Sequence, residues 1–360
     1  MSIDPSAAPR RRRSSKRIFI PTLLLLVVAG GWSVFWWYAE RKAEQVWNEV
    51  VARQAEHGVV IACKDRGFGG YPFRFEVRCA GPSVEVTRED HKATVTAGAF
   101  RLVAQIYQPN KLIAEADGPL LVTNVDNGNT VEATWKSAQA SLSVWTDGPQ
   151  DVRLVVDGLD ATATLAGERR PLVQTAQLEA YARRSVAANA APGSFDLNSV
   201  LTSQALPEVD KVLGDASPVK LSFDGLVTGL TDWRPKPGPV FLRDWAVAGG
   251  ILHMEAARLD RGPTSLVAAG DLSADEEGRL SGKDLTVTIS GVKELGETIK
   301  RSGIAPANVA SFLNVGLAFA GKPANIDGKP AVEVPLTLIK GKVGVGGFAL
   351  VSLPRLFEAD

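Results

Sequence analysis

The chain has 360 residues, enough for one large or two modest domains, and its 45% hydrophobic and 22% charged content excludes a mostly disordered polymer. Six basic residues crowd the first 17 positions, leaving 34 basic and 39 acidic residues, a net of about −5 by subtraction, on the rest. A body of that sign lacks the basic surface a nucleic-acid backbone needs, so nucleic acid is not an expected partner. Two cysteines and three histidines argue against a disulfide-dense mini-domain, a zinc ribbon and a histidine-rich metal centre, and no cofactor is expected.

In chain order, residues 1–17 form a basic tail containing Arg11, Arg12, Arg13, Lys16 and Arg17. Ile18 to Ala39 contains no charged residue. These 22 residues would span about 33 Å as a helix, against a hydrocarbon core of about 30 Å. Trp32, Phe35, Trp36, Trp37 and Tyr38 crowd the far end, where amphipathic rings favour a membrane interface. The positive-inside rule then puts the tail in the cytoplasm and the body outside. A cleaved signal peptide has a shorter apolar run and a small-x-small site; WWYAERKAE offers a poor one. The expectation is a transmembrane helix at 18–39 and a helical stalk at 40–58, with Gly58 as its cap.

From residue 59 the dominant period is two. FRFEVRC sets Phe73, Phe75, Val77 and Cys79 on one face and Arg74, Glu76 and Arg78 on the other. Similar runs recur, punctuated by DNGN, TDGPQ, RPKPGP, DEEG and IDGK. This predicts a mainly β body with short helices: an extended, twisted antiparallel sheet, curled or half-barrel-like, behind the N-terminal helix. A first β region is expected over 59–184, a loop and helix connection over 185–218, and a second β region over 219–360. Residues 195–214 read as a loop followed by a short helix at 206–213. Further helices are expected near 292–302 and 306–320, plugging the concave side of the sheet.

The sharpest local feature runs from Cys63 to Cys79. In an oxidising compartment the two would form a disulfide, and a hairpin centred on Tyr71 sets them opposite each other. Phe68, Gly69, Gly70, Tyr71, Pro72 and Phe73 form its tip, either a wide turn covering the sheet end or a docking surface. A phosphate cradle would need a helix after the glycines, and a strand follows instead. His57, His91 and His253 lie far apart and lack metal-binding spacing. No nucleophile elbow, Walker loop or S-x-x-K signature appears, so no catalytic or metal residue is assigned. Asp275, Glu276 and Glu277 read as solvated turn residues.

GYPFRFEVRC, FRLVAQIYQPNKLIAEADGPL, LRDWAVAGGILHMEA, GDLSADEEGRLSGKDLTVTISG and the ending VPLTLIKGKVGVGGFALVSLPRLF resemble the alphaproteobacterial envelope family known as domain of unknown function 2125. The G-[FWY]-P-F-R-F-x-x-x-C core is the most specific part, and the resemblance implies no reaction. A weaker similarity, around 270–282, is to AsmA-like and YdgA-like envelope proteins. The resulting expectation is a single-pass inner-membrane protein of a Gram-negative bacterium, N-terminus cytoplasmic and body periplasmic. It would be a non-enzymatic scaffold or interaction module for another envelope protein. The alternatives are a holder of an apolar ligand such as lipid in a sheet concavity, and a periplasmic hydrolase with a non-local site. A continuous apolar groove would favour the lipid alternative over the scaffold.

Overall fold

The computed structural model describes residues 16–56, 58–88, 91–187, 190–233, 238–302, 321–346 and 348–357. The apolar run and the stalk form one helix, α1 (Lys16–Glu56), of 41 residues, about 60 Å long. It is long and apolar enough to cross a membrane. Side chains from Phe19 to Val28 are exposed, so no core among the described residues claims this apolar surface.

The rest is mainly β, as the alternation predicts, with nineteen strands among the described residues joined in one antiparallel sheet. Strand β1 (Val59–Gly69) runs back alongside α1 and turns through the tip into β2 (Arg74–Arg88). Strand β2 bends at Gly81, whose φ of 55° is left-handed. Its first half pairs with β4 (Ala99–Gln105) and its second with β3 (His91–Thr96). Two tiers of short strands follow. One is β4, β5 (Gln108–Asp117) and β8 (Ser137–Trp145). The other is β3, β6 (Leu120–Asn124) and β7 (Thr130–Thr134). The long β9 (Gly148–Leu165) pairs with both tiers.

Beyond β9 the sheet advances one strand at a time. The series is β10 (Glu168–Arg184), β11 (Phe195–Ser203), β12 (Val219–Val227), β13 (Leu252–Arg261), β14 (Thr264–Ala274) and β15 (Leu280–Ser290). Next comes β17 (Lys329–Ile339), which also pairs with β16 (Lys322–Ile326) and β18 (Lys342–Val345); β19 (Phe348–Ser352) pairs with β18. Along the first tier, β2 to β17 is twelve strands, about 50 Å at the usual spacing. A twisted sheet of that width curls, because each strand rotates relative to the last.

The helices lie on one face of this sheet. Helix α2 (Pro207–Leu213) packs against β10, and α4 (Val292–Ser302) against α2 and β14. Helix α3 (Gly238–Val247) packs Trp245 with Phe195, Val227 and Phe357 in one small core. A second core gathers Ile289, Val334 and Val345 under Val292 and Leu295 of α4. The helices read from sequence at 206–213 and 292–302 match α2 and α4; the one at 306–320 lies outside the described residues.

Two readings need correction. Residues 195–203 are strand β11, not loop, because Phe195, Leu197 and Leu201 alternate inward between β10 and β12. Helix α3 was not expected. Its signals are Pro239 in the first turn and Phe241 and Trp245 one turn apart.

Helix α2 is tied to the sheet by a near-buried ion pair. Arg261, 9% exposed, donates to Asp210 Oδ1 at 2.6 Å and lies 3.3 Å from Asp215 Oδ2. Removing one partner of such a pair leaves the other desolvated, so Arg261→Ala should destabilise the body by about 3 kcal/mol. Urea unfolding of the full chain in mild detergent measures this. A change below about 0.5 kcal/mol would show that the pair is solvated.

Candidate functional site

The tip predicted from the glycines and aromatics is docked in cis on α1. Helix residues from Glu56 back to Ser33 cover about 35 Å at 1.5 Å per residue. The 11 residues of β1 return about 36 Å, so the tip arrives beside Ser33. Three hydrogen bonds hold it there. Trp32 Nε1 donates to Pro72 O at 2.9 Å, Trp36 Nε1 donates to Arg74 O at 3.3 Å, and the Ser33 and Tyr71 hydroxyls meet at 2.8 Å. The Trp36 ring lies nearly parallel to Phe75, with centroids 6.0 Å apart, and meets Tyr71 edge-on at 5.4 Å. Trp36 is buried, whereas Trp37 and Tyr38 are exposed and Trp37 stacks only under Arg41. Higher on the helix, Arg66 donates to Asn48 Oδ1 at 2.9 Å and lies 3.5 Å from Glu44.

The tip itself separates its glycines. Gly70 has φ 102°, and a Cβ there would sit 2.4 Å from Arg74 O. Gly69 has an ordinary φ, and its Cβ would meet only the flexible end of Arg78 at 3.3 Å. Phe68 pairs with Val77 across the hairpin under Arg66; Phe73 is exposed.

Cys63 and Cys79 are disulfide-bonded, as expected, with Cα atoms 5.5 Å apart. The expected register is wrong: Cys63 faces Pro82 and Cys79 faces Arg66. The bend at Gly81 folds both strands, so the cysteines meet across the inside of a corner rather than across a flat ladder.

From Phe75 the alternation becomes a surface. The register sets Phe75 opposite Ala104, Val77 opposite Leu102 and Cys79 opposite Phe100. Ala114, Ala140 and Leu154 continue the Val77 row through β5, β8 and β9. Ala180, Ser199 and Phe223 carry it through β10, β11 and β12. Ala257, Ala268, Val287 and Val334 take it to β17. A parallel row runs from Phe100 through Val156, Leu178, Leu201, Leu221 and Leu259 to Ile289.

Ser199 is the sole polar side chain in the first row. Between β4 and β13 no side chain of either row is buried, and Val152 and Leu154 on the same face are 38% and 36% exposed. Among the described residues, α1 covers the start of the face at Phe75, the Trp245 core covers one end of β11–β13 beside the rows, α2 packs against β10, and the second core covers the rows at β15 and β17. Two rows across these eight strands present on the order of 500 Å² of apolar surface, at the upper end of what a monomer usually leaves open.

The opposite face is charged and internally paired. Glu76, 5% exposed, lies between Arg74 at 3.1 Å and Arg78 at 3.6 Å, and Arg101 pairs closely with Glu115. Shallow hollows of about 540 and 450 Å³ open on this side, lined chiefly by such residues. His253 Nδ1 meets Asp271 Oδ1 at 2.7 Å, joining β13 to β14. His57 and the His91 side chain lie outside the described residues. Burial would raise the Asp275 carboxyl, but the Arg279 backbone N–H and guanidinium, each donating to it at 2.8 Å, together hold it below its usual range. Among the described residues no group of three His, Cys, Asp or Glu side chains is placed to hold a metal ion. Lys16 and Arg17 open α1; Arg11, Arg12 and Arg13 lie outside the described residues.

The chain is thus a mainly-β protein behind an apolar N-terminal helix, and one bacterial family covers most of it. Its model, described as "Uncharacterized protein conserved in bacteria (DUF2125)", matches residues 36–354. The chain belongs to that family, and the match begins at the buried Trp36. No curated protein and no solved structure matches the chain, so nothing in these comparisons links it to AsmA-like or YdgA-like proteins.

The docked tip yields two paired expectations. Trp36→Ala should destabilise the hairpin by about 3 kcal/mol, as for large aromatic truncations, whereas Trp37→Ala should cost less than about 0.5 kcal/mol. Gly70→Ala should cost about 1 kcal/mol or more and Gly69→Ala much less. Urea titrations of the four variants in one detergent test both. Equal losses in the tryptophan pair would mean the tip is not held on α1 as described, and equal losses in the glycine pair would mean the turn does not need the left-handed backbone at Gly70.

Proposed function

We propose that this is a single-pass inner-membrane protein, N-terminus in the cytoplasm and β body in the periplasm, that holds an acyl chain of a membrane lipid against its apolar sheet face. No chemical transformation is part of this reading. The carrying observation is the pair of apolar rows that begin beside Phe75, on Trp36 of α1, and stay unburied from β4 to β13.

Several observations support the parts. Trp36 is packed under the tip, so cleaving an N-terminal leader beyond it would expose Phe75 and remove three hydrogen bonds; an uncleaved anchor fits better. The disulfide suits an oxidising compartment. The basic tail before the apolar run favours the N-in orientation. An acyl chain suits the face because the face is long, narrow and nearly free of polar groups. Its neighbour α1 is itself long and apolar enough to lie among such chains.

The scaffold reading uses the same surface with a different occupant, an envelope protein's apolar segment. A photo-reactive phenylalanine derivative separates the two. Placed at Leu154, it should capture phospholipid on irradiation of intact membranes, seen as a mass addition to the peptide. Placed at Arg153, on the charged face, it should capture none. A protein adduct at Leu154 would favour the scaffold. No adduct at Leu154 in folded, disulfide-bonded protein would remove the surface from consideration.

A further inference from the structure

Among the described residues, every large aromatic side chain that the sheet leaves strongly exposed lies on one rim. Tyr71 and Phe73 sit in the β1–β2 tip, Tyr107 in the β4–β5 turn and Trp145 at the β8–β9 turn, with exposures of 55, 66, 69 and 61%. These are successive turns at the same end of neighbouring strands. Ile106 N donates to Phe73 O at 3.1 Å, which fixes the second turn level with the tip. Lys111 pairs with Ser143, which brings the third turn to the same edge. The far end of the second tier and of β9 carries a different set of exposed groups, the aliphatic Val125 of the β6–β7 turn and Leu165.

The level of this rim is set by α1. The tip bonds to Trp32, Ser33 and Trp36, three to seven residues before the last apolar position, Ala39. At 1.5 Å per residue the rim begins about 5–10 Å inside the apolar span. That is the depth at which tyrosine and tryptophan rings are stable in a bilayer, apolar body down and polar edge in the headgroups.

We infer that the Tyr71–Phe73, Tyr107 and Trp145 turns form a second, monotopic membrane contact. They seat the rim of the sheet in the outer leaflet of the bilayer that α1 crosses. The occupant is the lipid interface itself, because the first turn of the rim is bonded to the helix at interfacial depth. The inference rests on α1 spanning a bilayer and is independent of whether an acyl chain binds the apolar face. With both in place, the sheet does not swing on its stalk. The rim fixes its tilt and holds the Phe75 end of the apolar face against lipid.

Among the described residues both cysteines are in the disulfide, so an added thiol can be labelled alone without reduction. Nitroxides at Tyr107→Cys, Trp145→Cys, Leu165→Cys and Leu24→Cys would be placed on the full chain. The chain is then reconstituted in vesicles of phosphatidylethanolamine and phosphatidylglycerol. The reading is relaxation by oxygen relative to a water-soluble nickel chelate. The expected ratio is highest at 24, severalfold above water at 107 and 145, and aqueous at 165. An aqueous ratio at 107 or 145 with a deep label at 24 would overturn the rim and leave the span intact. An aqueous ratio at 24 would overturn both. Circular dichroism matching the parent protein and an intact disulfide would show that each variant is folded.

Discussion

A sheet that is apolar on one face and twelve strands wide must set that face against something other than water. Ordinary antiparallel sheets meet this constraint with a layer of helices or a second sheet. Among the described residues this chain meets it only in part. Trp36 of α1 lies over Phe75, α2 packs against β10, α3 closes a small core at one end of β11, β12 and β13, and α4 closes another over β15 and β17. Between them the Val77 and Phe100 rows remain half-exposed, although the charged face behind them is well supplied with ion pairs. The contrast between a paired polar face and an uncovered apolar one argues that the apolar face has an occupant beyond the described residues.

The helix–hairpin return gives this face its setting. Rise per residue alone brings the tip back to the aromatic belt of α1, because a 3.3 Å strand step recovers in 11 residues what the helix gains in about twice as many. Trp36 then serves both sides. Its ring covers the first aromatic side chain of the apolar face, and its Nε1 holds the tip backbone at Arg74. The disulfide at the Gly81 corner ties the same hairpin where β2 changes partners, so the strands that start the face are fixed at both the tip and the bend.

Much of this was legible one element at a time. Alternation gave the β class, the apolar 22-mer gave the helix, and the spacing of Cys63 and Cys79 gave the disulfide. The register of that hairpin was not legible, because a bend at Gly81 lets two cysteines meet without being opposite. Strand β11 hid because Asp196, Asn198 and Ser199 make FDLNSVLTS look like loop chemistry, while its apolar positions face a neighbouring strand on each side. The tip residues were recognisable as a tip, yet their partner on α1 lies about 40 positions earlier, and no local pattern encodes that contact. The continuous face is a property of register across a dozen strands, so each strand shows its share of it and none shows the whole.

The central claim, that a lipid chain occupies the open face, is tested most directly by native mass spectrometry of the full chain after exchange into a second detergent. Wild-type protein is compared with Leu154→Asp, which puts a charge in the middle of the face at a half-exposed position where folding tolerates it. The account predicts phospholipid-mass adducts on the wild type that survive exchange. It predicts their loss in Leu154→Asp, with the β spectrum and the disulfide unchanged. Adducts of equal abundance on both proteins, or none on the wild type, would contradict it.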